Sequence, residues 1–144
     1  MTRPIVVLLI AVGIAACGSS TGPNTSNVAG TWTMTANGMT GGGNTCAVSA
    51  TVQFLQNGMV LSGNLPGSGI VVTCTGLEDV VDTIAGNDDV TGSVNGNNIT
   101  YGLAANTIVA TGSVTSGNAM SGSTMTLSIP AQSIDVTGQW SGVK

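Results

Sequence analysis

The chain has 144 residues, including 22 glycines but only two basic residues, six acidic residues and no histidine. So few bases exclude nucleic acid and anionic lipid as charge-recognised partners, because both bind through clustered Lys and Arg. With no histidine and a lone Lys144 beyond residue 16, no serine or threonine has an evident general base, so we expect no enzyme and no cofactor. Abundant Gly, Thr, Ser, Asn and Val predict an all-β domain of strands separated by turns.

The first 16 residues have the pattern of a cleaved export signal. Arg3 precedes an apolar run from Ile5 to Ile14, and small Ala15 and Ala16 follow it. The run is shorter than the roughly eighteen residues that a membrane-spanning helix needs. We therefore predict a signal peptide over residues 1–16.

The end of this run, Ile14-Ala15-Ala16-Cys17, resembles the lipobox of bacterial lipoproteins. The resemblance implies diacylglycerol on the Cys17 sulfur, cleavage before Cys17, acylation of its new amino group and anchoring to a membrane. Gly18, where some lipoproteins carry aspartate, implies the outer membrane of the cell envelope by the same resemblance. The alternative is an ordinary signal peptide that happens to contain a cysteine.

The mature chain divides into a tether and one domain. Removing 16 of 144 residues leaves 128, enough for a single domain, and one base minus six acids gives a formal charge of −5. Residues 17–27 form the lipidated cysteine and a flexible Gly/Ser/Thr/Asn tether, and residues 28–144 form the domain.

Two further cysteines, Cys46 and Cys74, predict a disulfide, because an exported protein meets oxidising conditions. A zinc site would lack ligands, since the chain has no histidine. Cys46 begins one predicted strand and Cys74 ends another, two places along and running the same way. The bridge therefore needs tilted strands or a shorter strand between them.

Apolar residues alternate with polar ones along most of the chain, which predicts strands with one buried face. Asn57-Gly58 predicts a hairpin, and the related segments 91–102 and 111–122 each predict another. A bulge is expected near Gly122, and Pro130 ends a strand. The predicted inward residues are Val28, Gly30, Trp32, Met34, Ala36, Cys46, Val48, Ala50, Val52, Phe54, Met59, Leu61, Gly63, Ile70, Val72, Cys74, Val90, Val94, Ile99, Tyr101, Leu103, Ile108, Ala110, Val114, Met125, Leu127, Ile129, Ile134, Val136, Gly138 and Trp140.

The alternation breaks between residues 76 and 85. Leu77, Val80, Val81 and Ile84 have helical spacing, which predicts a two-turn helix over 76–85. Five of the six acids lie between residues 78 and 89. They predict a solvated helix and turn, with calcium binding through Asp82, Asp88 and Asp89 as the alternative.

About nine strands predict an antiparallel up-and-down meander that closes into a small soluble barrel of eight or nine strands. Closure would pair the strand carrying Gly30-Thr31-Trp32 with the strand carrying Gly138-Gln139-Trp140, so that the two tryptophans meet inside the seam. The polar outer face argues against a membrane-spanning barrel, which needs an apolar belt outside.

This layout resembles the calycin group of lipocalin-like and avidin-like proteins, through the Gly-x-Trp at Gly30, Thr31 and Trp32 in the first strand. The resemblance implies a barrel that holds a small apolar ligand. The mature chain departs from the lipocalin pattern by lacking the basic residue that packs on this tryptophan, because no arginine follows residue 16, and two tryptophans are too few for an avidin-like biotin site. Short Thr/Gly-rich bacterial lipoproteins of unassigned function are similar to residues 17–144.

Two functions therefore compete. In one, Trp32, Phe54, Tyr101 and Trp140 line a site for a small apolar ligand. In the favoured one, these side chains fill the barrel, and the domain is a structural or interaction module whose protein partner the sequence does not identify.

Overall fold

The computed structural model describes residues 24–67, 69–76, 80–84 and 90–144. The predicted signal peptide and Cys17 lie outside these residues. No helix in the described ranges is long and apolar enough to cross a membrane. The strands are β1 (Gly30–Gly41), β2 (Asn44–Asn57), β3 (Val60–Asn64), β4 (Ile70–Thr75), β5 (Val80–Ile84), β6 (Val90–Asn95), β7 (Asn98–Leu103), β8 (Ile108–Ser116), β9 (Ala119–Ile129) and β10 (Ile134–Val143), with a 3-10 turn at Pro130–Gln132.

Eight of the strands close into a ring in the order β1-β10-β9-β8-β7-β6-β3-β2, and β2 pairs back with β1. Every neighbouring pair is antiparallel, which confirms the predicted antiparallel barrel. The seam is the predicted one, because β1 pairs with β10 and Ala36 lies opposite Trp140. The expectation that the two tryptophans meet there is wrong, because Trp140 lies opposite Ala36, four residues along β1 from Trp32. The two indoles therefore lie at different heights in the barrel. The repeated segments form the β6–β7 and β8–β9 hairpins.

The other two strands, β4 and β5, extend two walls of the ring. Strand β2 is 14 residues long, so its second half pairs with β3 and its first half pairs with β4. Strands β3 and β4 run in the same direction along β2 and act as one interrupted strand. Strand β5 pairs with β4 just as β6 pairs with β3. The ten strands in the described part of the chain thus comprise a closed ring of eight and the added pair β4 and β5, which continues from β2.

This interruption explains the disulfide. Cys46 on β2 and Cys74 on β4 are direct cross-strand partners and are bonded to each other, which confirms the predicted pairing. The expectation that their strands run the same way is wrong, because β4 is antiparallel to β2. The shorter intervening strand has the predicted effect: β3 ends at Asn64, and the chain re-joins the same edge of β2 at Ile70.

The predicted helix over 76–85 is also wrong. Val80–Ile84 form a strand that pairs antiparallel with β4, from Val80 opposite Cys74 to Ile84 opposite Ile70. Four of these five residues are β-branched, which favours a strand over a helix. An edge of β4 is available to satisfy their backbone, whereas a two-turn helix is marginal without packing.

The core lies inside the barrel and follows the predicted alternation closely. Among the residues whose side chains the structure describes, twenty-nine hydrophobic ones are buried, and they form one cluster. Met59 differs from the prediction, because it lies in the β2–β3 turn and is 43% exposed. The predicted bulge at Gly122 is present, since the β9–β10 register shifts between Gly138 and Trp140. The shift turns Met120 inward, where it is 1% exposed.

Candidate functional site

Three aromatic side chains form a row inside the barrel. The ring centroids of Phe54 and Tyr101 are 5.4 Å apart, and those of Tyr101 and Trp140 are 5.3 Å apart. Both contacts are edge-to-face, an arrangement that adds about 0.5–1.5 kcal/mol per pair beyond the burial of area. The sequence indicated these three residues as possible ligand-lining groups, and in the fold their rings contact one another.

Small residues flank each of these rings. Each aromatic residue faces glycine or alanine on both neighbouring strands: Phe54 faces Gly30 and Gly63, Tyr101 faces Gly92 and Ala110, and Trp140 faces Ala36 and Gly122. Alternation of large and small inward residues is how a narrow barrel accommodates bulky side chains. The aromatic row therefore occupies space that the neighbouring strands leave free.

The seat of Trp140 requires glycine at two positions, Gly112 on β8 and Gly122 on β9. A Cβ at Gly112 would lie 2.7 Å from Cζ2 of Trp140, and one at Gly122 would overlap the indole nitrogen. The same indole nitrogen donates a hydrogen bond to the Thr111 carbonyl at 2.9 Å. The indole is thus fixed against β8 and β9.

The hydroxyl of Tyr101 is the most unusual polar group in the interior. It is buried and has no hydrogen-bond partner among the described residues. Burial raises the pKa of Tyr101 well above its ordinary value of 10.0, because the phenolate would be desolvated. A buried hydroxyl without a hydrogen-bond partner costs about 1–3 kcal/mol of stability. The hydroxyl of Tyr101 therefore either destabilises the barrel or forms a hydrogen bond with a polar atom of a bound molecule.

The fourth aromatic residue, Trp32, lies near one end of the barrel. Its indole nitrogen donates to the Val28 carbonyl at 2.7 Å. The ammonium nitrogen of Lys144 lies 5.6 Å from the centroid of its ring and donates to the Ala29 carbonyl. The expectation that no basic residue packs on Trp32 is therefore wrong. Lys144, which follows the last strand, provides the cation.

The segment before β1 crosses this same end of the barrel, which we call the tether end. Ser26 donates from its backbone N–H to the Gly96 carbonyl at 2.9 Å and from its hydroxyl to Asn97 Oδ1 at 2.8 Å. The Gln56 side chain accepts from the Val28 N–H at 2.8 Å and donates to the carbonyls of Ser26 and Gly58, both at 3.0 Å. Val28 is fully buried beneath these contacts.

The calcium hypothesis concerns residues that the structure describes only in part. The backbone of Asp82 lies in β5, whereas Asp88 and Asp89 lie outside the described residues. Within the described ranges, no three His, Cys, Asp or Glu side chains come together as a group that could hold a metal ion.

Sequence reasoning missed Gln56 and Lys144 as organising residues of the tether end. Gln56 lies next to a predicted turn, where a polar side chain is ordinary. Lys144 is 115 residues away from its backbone partner Ala29, so only the closure of β1 on β10 brings the two together. The Gly-x-Trp motif was the available signal, because it places Trp32 in the first strand beside the last one.

Comparison of the chain with protein-family models, with curated proteins and with solved structures finds no match in any of the three.

Proposed function

We propose that this chain is an exported lipoprotein, held to a membrane through Cys17, whose barrel is a structural or interaction module without enzyme activity. The observation that supports a structural or interaction role for the barrel is the row of Phe54, Tyr101 and Trp140 along its interior. An eight-stranded barrel is just wide enough to be filled by its own side chains. Three large rings that contact one another edge to face use that space for packing.

The burial of the interior residues supports the same proposal. Phe54, Tyr101 and Trp140 are each at most 3% exposed, and inward glycines or alanines flank them on both sides. Rings that pack against small residues in this way are typical of a close-packed protein core. A carrier of apolar molecules would instead present such rings to a cavity open at one end.

The tether end supports the anchoring half of the proposal. The described chain starts at Asn24, two residues before Ser26 is hydrogen-bonded to the β6–β7 turn. Six residues lie between Cys17 and Asn24, so seven residue-to-residue steps join the two, and a chain of seven steps spans at most about 24 Å. A lipidated Cys17 would therefore keep the tether end close to the membrane, in the outer membrane if the lipobox resemblance extends to Gly18.

The anchor is tested with the full chain expressed in a bacterial host that is fed radiolabelled palmitate. We expect label in the wild-type protein, fractionation with membranes and a mature amino terminus at residue 17. The Cys17→Ser variant should carry no label and should leave the membrane fraction, while Cys46→Ser serves as the matched thiol control and should keep the label. Equal labelling of wild type and Cys17→Ser would overturn the proposal.

A second candidate function is the binding of a small apolar ligand with one polar end, as the calycin resemblance implies. The unpartnered hydroxyl of Tyr101 favours it, because a ligand oxygen could accept that hydrogen bond. Retinol and a fatty acid are suitable probes, followed by quenching of tryptophan fluorescence. If this function is correct, Tyr101→Phe weakens binding by about tenfold, the equivalent of one net hydrogen bond. Absence of saturable quenching would remove it.

A further inference from the structure

The β2–β3 hairpin carries a cluster of apolar side chains on the outside of the barrel. Leu55 is 59% exposed, Met59 is 43% exposed and Val60 is 63% exposed. We call these three residues the apolar tip. Elsewhere the outward positions of the strands are mostly threonine, serine and asparagine, so the apolar tip stands out from the surface around it.

The register of the hairpin groups these side chains together. Leu55 lies opposite Ser62, and Val60 lies opposite Asn57. Leu55 and Val60 are therefore diagonal neighbours on the outer face, close enough for large side chains to contact. Met59 precedes Val60 in the turn, and its carbonyl accepts a hydrogen bond from the Val94 N–H at 2.8 Å, which fixes the turn against β6.

The apolar tip is free of charge. Asp135 and Lys144 are the charged residues among the described side chains. Asp135 begins β10 at the opposite end of the barrel, and the Lys144 ammonium is engaged by Trp32 and the Ala29 carbonyl. The Lys144 ammonium is exposed and belongs to the tether end, whereas the three side chains of the apolar tip themselves carry no charge. Those side chains suit the neutral interface of a lipid bilayer.

The apolar tip also lies at the tether end. Gln56, the residue between Leu55 and Asn57, holds the carbonyl of Ser26 and the N–H of Val28. Asn24, where the described part of the chain begins, therefore lies two residues from a segment that is held beside this hairpin. A lipid anchor at Cys17 would bring the apolar tip, rather than the opposite end of the barrel, to the bilayer surface.

We infer that the apolar tip inserts into the interface of the membrane to which the chain is anchored, and so fixes the orientation of the barrel on that surface. This inference rests on the proposed anchoring. The occupant is a zwitterionic bilayer, because the described chain begins at this end, the tether to Cys17 is short and the three side chains of the apolar tip carry no charge. A second anchoring contact of this kind supplements a lipid anchor and restricts the tilt of the domain.

The test replaces residues 1–17 by a histidine tag that binds a nickel-chelating lipid in phosphatidylcholine vesicles. A tryptophan introduced by Val60→Trp reports insertion through quenching by brominated acyl chains. The matched control is Val109→Trp, since Val109 is 38% exposed near the opposite end, on β8. The two native tryptophans are at most 3% exposed and give a constant background.

We expect quenching of Val60→Trp to exceed that of Val109→Trp by about twofold or more, because interfacial insertion reaches about 5–10 Å into the boundary of headgroups and acyl chains. Adding Leu55→Ser and Met59→Ser should reduce it toward the control. Equal quenching at the two sites would overturn the inference. So would a dimer, measured by light scattering without vesicles, that these serine substitutions dissociate, because a second copy would then occupy the apolar tip.

The tag makes this result independent of lipidation in cells. Strong quenching together with an unlabelled Cys17 would refute the proposed anchor and leave the affinity of the apolar tip for lipid in place. Palmitate label on Cys17 together with equal quenching would support the anchor and refute the docking of the apolar tip.

Discussion

Replacing Tyr101 by phenylalanine should stabilise this protein. The Tyr101 hydroxyl is buried without a hydrogen-bond partner among the described residues, whereas its ring contacts Phe54 and Trp140. Burial of an unpaired hydroxyl costs about 1–3 kcal/mol in protein mutational data, and phenylalanine keeps the ring while removing that group. We expect the free energy of unfolding to rise by about 1 kcal/mol, equivalent to about 3–6 °C in melting temperature for a domain of this size.

The same substitution should change how stability depends on pH. Because burial raises the pKa of Tyr101, the folded state keeps the phenol proton to a higher pH than the unfolded state, whose pKa is about 10. The stability is therefore complete below that pH and falls as pH rises from it toward the folded pKa. Urea unfolding measured at increasing alkaline pH should show this loss in wild type, and Tyr101→Phe should lack it.

Two results bear on the reasoning. Phe54→Ala serves as the control for ring packing and should cost about 3–5 kcal/mol, because it removes a fully buried ring from the row. A loss of about 1 kcal/mol or more in Tyr101→Phe would refute the argument, since the hydroxyl would then be making a favourable hydrogen bond.

The remaining predictions concern the glycine seat, the disulfide and the last lysine. Gly122→Ala should destabilise by about 1–3 kcal/mol, because the added methyl would overlap both the Thr111 carbonyl oxygen and the buried indole of Trp140. Gly117→Ala, with open space around it, should change stability by less than about 0.5 kcal/mol in urea titration, and equal effects of the two substitutions would contradict the seat. Removal of the disulfide by replacing both Cys46 and Cys74 with alanine should cost about 3–4 kcal/mol, and rapid alkylation of both thiols without prior reduction would disprove the bond. Lys144→Met should lower stability by about 0.5–1 kcal/mol through loss of the cation over the ring, while Lys144→Arg should retain it; equal losses would argue against that contact.

The inward faces of the strands could be predicted from the sequence because antiparallel strands with one buried face alternate with period 2. From Trp32 to Ala36 and from Cys46 to Phe54 the predicted inward residues are all buried. The closing seam was also predictable, because a sheet with one apolar face must cover its edges. Trp32 and Trp140 marked the two strands that meet there.

The error at residues 76–85 has a local cause. Val80, Val81 and Ile84 fit a helical spacing, yet β-branched residues lose side-chain freedom in a helix. Their partner is the edge of β4, which becomes available only because β3 stops at Asn64 and the chain rejoins β2 at Ile70. The sequence from Leu65 to Gly69 has the composition of an ordinary turn, so it does not predict an interrupted strand.

Contacts at the tether end were the hardest to predict. The Lys144 ammonium contacts Trp32 and Ala29, which are more than 100 residues away from it in the sequence. Gln56 binds the backbone of Ser26, in a segment whose composition alone predicts a flexible tether. These contacts depend on barrel closure and on the height of each strand, which the period-2 pattern does not encode. The unpaired state of the Tyr101 hydroxyl is likewise a property of the packed interior.

The central claim, that the barrel is filled by its own side chains and does not carry a ligand, is tested most directly by melting the disulfide-bonded protein with retinol, fatty acids of several lengths, and calcium. We predict the same melting temperature with and without each compound, because a molecule that bound the folded barrel would raise the melting temperature by an amount that grows with the logarithm of its concentration over its Kd. A rise that grows with the concentration of retinol or a fatty acid, and that Tyr101→Phe makes smaller, would contradict the claim and establish the interior as a binding site.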